Sequence, residues 1–143
     1  MSDPGLRIAL LGMGRMGREI RSLAEERGIE VVAALDEADV RPDPEAARVA
    51  LAAADVVLDF TVPEAVVDNV ALCMAAGRPV VVGTTGWYDR LDEIAGMVRS
   101  SAGGLLWAAN FSVGVVAMTV LVRRAGTLLR GAPGFDAHLV EPH

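Results

Sequence analysis

Gly12-Met13-Gly14-Arg15-Met16-Gly17 follows directly on the nearly unbroken apolar run Leu6 to Leu11 and opens a helical pattern, and this junction constrains the fold more than any other feature. An apolar run of that kind is a strand covered on both faces. In a strand–turn–helix context the first glycine permits a tight turn, and the second lets backbone approach a pyrophosphate. The third lets the helix pack on the strand, while the helix N-terminus offers unpaired N–H groups to an anion. A bare Gly-x-Gly-x-x-Gly is weak evidence, and a tight turn beside a solvent-exposed acid is its bland alternative. Asp36 strengthens it: 19 residues beyond Gly17, at the end of the second apolar run, a carboxylate is placed to hydrogen-bond a ribose 2'-hydroxyl. Glu37, Ala38 and Asp39 follow it, so a 2'-phosphate meets negative charge, and NADH is slightly favoured over NADPH. Arg15 or Arg41 reaching a phosphate from the neighbouring loop keeps NADPH open.

Further along, short β-rich runs alternate with helical patterns, which reads as α/β with a doubly wound parallel sheet of Rossmann type. A helix spans about Arg15 to Arg27 with Gly28 as its cap, and Ile29 to Leu35 is the second strand. Asp36 to Pro44, acidic and carrying two prolines, reads as a surface loop before a short helix at Glu45 to Ala53. Val56 to Phe60 is the third strand, Pro63 opens a helix to Ala76, and Pro79 to Val82 is the fourth strand. A helix at Tyr88 to Arg99, a strand at Leu105 to Ala108, a long helix from Val113 to Arg130 and a last run at Phe135 to Val140 complete the pattern. Residues 1–112 form a dinucleotide-binding domain and 113–143 the first helix and strand of a truncated second domain.

Composition removes several chemistries. All 13 basic residues are Arg, so a Schiff-base lysine, a phosphate-loop lysine and a Ser-Lys dyad are excluded. The net charge of −6, with no basic run longer than Arg123-Arg124, argues against a nucleic-acid partner. One cysteine, Cys73, and two histidines, His138 and His143, leave no expected metal site. From Ser100 to Val122 there are 23 residues without a charge, a pattern that imitates a membrane span. Gly103-Gly104, Asn110, Ser112 and Gly114 break it into a buried strand, a loop and a buried helix, and a soluble cytoplasmic protein is expected.

The third, fourth and fifth strands end in Thr61-Val62-Pro63, Gly83-Thr84-Thr85-Gly86 and Ala109-Asn110-Phe111-Ser112, where ligands sit in open α/β sheets. Gly14-Arg15-Met16-Gly17, Asp59-Phe60-Thr61, Val82 to Gly86 and Ala108 to Val115 occur in the order and spacing of one family, and the chain resembles dihydrodipicolinate reductase over essentially its whole length. The resemblance implies NAD(P)H-dependent reduction of a cyclic imine-type dicarboxylate, 4-hydroxy-tetrahydrodipicolinate, in diaminopimelate and lysine biosynthesis. It assigns Gly12 to Met16, with Gly17 closing the turn, to the pyrophosphate and Asp36 to the adenosine ribose. Gly83 to Thr85 go to the nicotinamide side and Ala108 to Phe111, Asn110 among them, to the ring and its carboxamide, while Phe60 and Thr61 are counted with the cofactor-binding residues. Glu141-Pro142-His143 looks like the family's Glu-Ala-His-His segment, which places His143 at the proton donor. As the last residue here, His143 reads as a solvated histidine, and as the acid in a longer chain.

The chain departs from the family in lacking the second His, the substrate-binding Lys and the Ser-Gly-Thr segment. Two accounts follow: a piece of a reductase, or a short dinucleotide-binding protein without catalysis. Another Rossmann dehydrogenase of amino-acid metabolism shares the nucleotide half but leaves Asn110 to Val115 unexplained. Apolar positions along the helix from Val113 favour a homo-oligomer.

Overall fold

Five parallel strands form one sheet in the order β2-β1-β3-β4-β5 in the computed structural model, which describes residues 5–101, 103–134, 138 and 140. The strands are β1 (Arg7–Leu11), β2 (Glu30–Leu35), β3 (Val56–Asp59), β4 (Val80–Val82) and β5 (Leu105–Trp107), all paired in parallel. The helices are α1 (Arg15–Glu26), α2 (Glu37–Val40), α3 (Pro44–Ala52), α4 (Val66–Ala75), α5 (Leu91–Arg99) and α6 (Val113–Leu129). The chain divides into two units, Met1–Ala109 and Asn110–His143.

Burial of alternate residues on opposite faces explains why the strands are apolar apart from Arg7, Glu30 and Asp59 at their ends. On one face Ala9, Leu11, Val57, Val80 and Val82 pack with Leu51 of α3, Val66, Val70 and Cys73 of α4 and Ile94 of α5. On the other, Ile8 and Leu10 pack with Ala24 and Ile20 of α1. Each fully buried aliphatic side chain of this set contributes roughly 1.5–3 kcal/mol of transfer free energy. Helices lie on both faces, so the sheet is doubly wound and Rossmann-like, but β5, expected to be a buried strand, leaves Leu106 and Trp107 exposed at the sheet edge.

Strand order reverses between β1 and β3: the chain steps from β1 out to β2, then returns to pair β3 on the far side of β1. That switch point opens a crevice at the carboxyl ends of the strands, where ligands bind in such sheets.

The segment read as loop from Asp36 to Pro44 holds one helical turn, α2. Local capping makes it: the Asp39 carboxylate accepts the Asp36 N–H at 2.8 Å, and the Asp43 carboxylate accepts the Ala46 N–H at 2.9 Å to start α3. Pro63–Ala65 and Tyr88–Arg90 are 3-10 turns leading into α4 and α5 rather than their first α-helical turns. Gly28 and Gly77, each at φ +67°, close α1 and α4 in the left-handed conformation that lets the next strand begin.

In the second unit the Ser112 hydroxyl accepts the Val115 N–H at 3.4 Å to cap α6, and Asn110 Oδ1 accepts the Ser112 N–H at 2.7 Å. No helix among the described residues is long and apolar enough to cross a membrane. Most of the run at Phe135 to Val140, and His143 with it, lies outside the described residues.

Candidate dinucleotide site

The glycine turn is held by close backbone contact. Gly12 stands at φ +89°, and a Cβ there would approach the Phe60 carbonyl oxygen to 2.6 Å. A Cβ on Gly17 would overlap the Gly12 carbonyl. Around Gly14, by contrast, a Cβ would meet nothing within 4 Å. Gly14 is the N-cap of α1 and supplies no capping side chain, and no acid stands in the first turn. The helix N-terminus therefore keeps its partial positive charge for an external anion. Met13, between the first two glycines, is gripped from both sides: its N–H donates to Asp36 Oδ1 at 2.6 Å, and its carbonyl accepts from the Arg18 guanidinium at 2.9 Å. Asp36 is thus bonded to the turn itself, and Arg18 is a residue the sequence reading missed.

Two clefts flank this turn within the first unit. One, of about 430 Å³, is lined by Gly12, Gly14, Asp36, Arg41, Phe60 and Thr61 among others. The second, of about 330 Å³, is lined by Met16, Phe60, Thr61, Gly83, Thr84 and Thr85 with Val62 and Pro63. Both lie in the size range of small-molecule sites. Phe60, Thr61 and Val62 wall both clefts, so the loop after β3 is their shared partition. A Cβ at Gly83 would run into the Phe60 ring, so the glycine lets the fourth-strand loop lie flat against that partition.

Of the remaining sequence-predicted residues, Met13, Arg15 and Gly17 build the turn without lining either cleft. Ala108 donates its N–H to the Val82 carbonyl at 3.3 Å, beside the Gly83 loop. Asn110 and Phe111 belong to the second unit, where Asn110 organises the start of α6. His143 falls outside the described residues.

Beneath the partition lies a polar network the sequence reading did not single out. Asp59, fully buried at the end of β3, accepts the Thr61 N–H at 2.9 Å and the Thr61 hydroxyl at 2.6 Å on Oδ1. Its Oδ2 accepts the Asn69 amide at 3.1 Å, and the same amide donates to the Thr61 hydroxyl at 3.0 Å. The Thr84 hydroxyl donates to the Thr61 carbonyl at 3.2 Å, and the buried Trp87 indole N–H donates to the Thr84 carbonyl at 2.8 Å. Two signals point to it in retrospect. Asp59 is the one acid in an apolar strand, and Asn69 shares the buried face of α4 with Val66, Val70 and Cys73.

Burial pushes the Asp59 carboxyl above the usual carboxylate range, against the pull of Thr61 and Asn69. The thiol of Cys73 is pushed up to about 12 by burial and by the Asp59 charge. The folded chain therefore keeps the Asp59 proton at pH values where the unfolded chain has lost it. This contribution to stability is full below the ordinary carboxyl pKa of about 4 and declines as pH rises toward the folded value. Urea denaturation of wild type and Asp59→Asn from pH 4 to 7 is expected to show the stability deficit of the variant shrinking as pH rises. A deficit that stays flat or grows would contradict the raised carboxyl.

A family model described as "Dihydrodipicolinate reductase, N-terminus" matches residues 6–111. The chain belongs to the dihydrodipicolinate reductase family. Relatives in this family include the 4-hydroxy-tetrahydrodipicolinate reductase of Xylella fastidiosa, 38% identical over 99% of this chain and 62% of its own length. That of Christiangramia forsetii is 31% identical over 96% of this chain and 56% of its own. The chain thus spans about three fifths of the length of these relatives. Among solved structures, a dipicolinate-bound dihydrodipicolinate reductase from Paenisporosarcina sp. TG-14 superposes with a TM-score of 0.68 at 26% identity, covering 85% of this chain and 54% of that one. A WlbA dehydrogenase from Chromobacterium violaceum, in complex with NADH and UDP-GlcNAcA, superposes at 0.62 with 22% identity, covering 92% and 42%, and shares the fold. Among the described residues no group of three or more His, Cys, Asp or Glu is placed to hold a metal ion.

Proposed function

We propose that this chain is the cofactor-binding part of a reductase that uses NADH, and NADPH less well, to reduce 4-hydroxy-tetrahydrodipicolinate in diaminopimelate and lysine biosynthesis. The observation that carries the reading is the pair of clefts walled by the β3 loop, the larger of them opening on the glycine turn at the switch point of the sheet. The turn fits a pyrophosphate: the space beside Gly14 is open and the α1 N-terminus lacks a side-chain cap. Family membership supports the reaction, and the dipicolinate held by the Paenisporosarcina enzyme supports a small cyclic dicarboxylate as substrate.

In this reading Gly12 to Gly17 hold the pyrophosphate, and Asp36 holds the ribose in the larger cleft. Met16, Phe60, Thr61 and Gly83 to Thr85 shape the nicotinamide end, with Ala108 beside it, and the family resemblance adds Asn110 and Phe111 to the cofactor residues. The reduced nicotinamide, when bound, supplies hydride. His143 is assigned the proton that the reduced ring nitrogen or carbon requires, from its place in Glu141-Pro142-His143. A cytoplasmic homo-oligomer, with residues 113–143 beginning the substrate and oligomerisation domain, completes the proposal.

NADH is favoured because Asp36 and Glu37 both line the ribose cleft. Arg41, which also lines it, is paired with Glu37 at 2.9 Å. Titration followed by nicotinamide fluorescence is expected to give an NADH Kd on the order of 1–100 μM. NADPH should bind roughly tenfold more weakly, about one like-charge contact at the surface. No saturation with either nucleotide at millimolar concentration overturns the cofactor reading, and equal affinities overturn the preference.

A further inference from the structure

Asp59 lines neither cleft, yet every bond it makes is to a residue that does or that braces one. Thr61 walls both clefts, Asn69 lines the larger, and Thr84 the smaller. We propose that Asp59 is a positioning residue that, through Thr61, fixes the two loops between which the dinucleotide is bound. This rests on the cofactor reading above.

All the neighbours that bond Asp59 donate: Thr61 N–H, Thr61 O–H and the Asn69 amide. With the Thr61 hydroxyl proton committed to Asp59, its lone pair receives Asn69 and its carbonyl is left to receive the Thr84 hydroxyl. Trp87 then holds the Thr84 carbonyl from below. The β3 and β4 loops, 23 residues apart at Thr61 and Thr84, are thereby tied to one buried carboxylate. Once ionised, Asp59 offers only acceptors at its base, matching the three donors that face it. The amide of Asn is nearly isosteric with a carboxylate, but sets one N–H against a donor whichever way it is turned. A buried donor facing a donor moves the loop rather than accept the mismatch. Turned with its oxygen toward Thr61, the amide opposes the Asn69 amide, which can then no longer brace both position 59 and the Thr61 hydroxyl. Turned the other way, it costs Thr61 both of its bonds, and in either case Thr61 shifts against both clefts.

The test is a double-mutant cycle at Asp59 and Thr61, read as NADH affinity of the folded full chain with the thermal midpoint recorded alongside. Asp59→Asn is expected to weaken NADH about tenfold, and Thr61→Val by a similar factor. The double variant should be no weaker than either single, because both remove one linkage. Thr61→Ser, which keeps the hydroxyl, should bind within about twofold of wild type. A folded Asp59→Asn with wild-type affinity overturns the proposal, as do losses that multiply in the double variant. If Asp59→Asn does not fold, Trp87→Phe reads the same linkage from its far end and is expected to weaken NADH several-fold, wild-type affinity being the overturning result. Amide exchange at Thr61 and Thr84, followed without nucleotide in Thr61→Val, is expected to rise at both loops. A rise confined to position 61 overturns the linkage. That readout separates failure of the proposal from failure of NADH to bind at all.

Discussion

Gly17→Ala is expected to lower the thermal midpoint by roughly 10 °C and to remove measurable NADH binding. The added methyl would overlap the Gly12 carbonyl oxygen, approach its carbon at 3.0 Å, and meet the Met13 sulfur at 3.5 Å. The first two obstacles are backbone, so no rotamer change relieves them. Overpacking of this kind costs about 1–3 kcal/mol when side chains can yield. Here α1 must tilt off the turn, and about 3 kcal/mol is the expectation, which at roughly 2–4 °C per kcal/mol for a domain of this size gives the midpoint shift. Tilting also withdraws the α1 N-terminus from the anion position. Gly14→Ala separates the two effects. Its methyl meets nothing within 4 Å, so stability should change by less than about 1 kcal/mol, the usual range for an N-cap exchange. It nevertheless projects beside the larger cleft, so NADH affinity should fall. Equal midpoints for Gly17→Ala and wild type would mean that the helix and turn are not in the contact described.

What made the glycine turn legible is that its requirements are local. A strand, a tight turn and a helix start lie within a dozen residues, and each glycine has a steric reason readable from position. The strands were legible for a similar reason. Ala9 and Leu11 serve one core and Ile8 and Leu10 the other, so the run carries no polar interruption. The order β2-β1-β3-β4-β5 was not legible, because pairing β3 with β1 rather than β2 depends on where α2 and α3 carry the chain. The turn of α2 was hidden in acidic composition, since Asp36 and Asp39 cap it with the same side chains that mark a loop. The Asp59 network was hidden for the opposite reason. Its bonds from Asn69 and Thr84 join separate elements, and nothing in the spacing of those residues announces that they meet. Asp36 lines the larger cleft, but its bond to Met13 N–H, 23 residues away, required the folded sheet.

That bond sets the second large effect: Asp36→Ala is expected to weaken NADH about 100-fold. Two losses combine. The Met13 N–H, donated to Asp36 Oδ1 at 2.6 Å, is left without its acceptor and the glycine turn loses its outer anchor. The cleft also loses its acceptor for ribose hydroxyls. Hydrogen bonds to a charged group contribute about 1.5–3 kcal/mol each, and a factor of 100 is about 2.7 kcal/mol. Asp36→Asn divides these contributions. Its side-chain oxygen can still accept the Met13 N–H, so the turn stays in place, but the negative charge facing a 2'-phosphate is gone. NADH should weaken only several-fold while NADPH strengthens, so that the two affinities converge or invert. Arg41 would then be the nearest cation on the cleft wall able to leave Glu37 for the phosphate. Fluorescence titration of both nucleotides against both variants decides the matter. If Asp36→Asn leaves the NADH-to-NADPH ratio at its wild-type value, the carboxylate does not face the ribose. Asp36 would then be a support of the glycine turn alone, and selectivity would have to reside in Glu37 and Arg41.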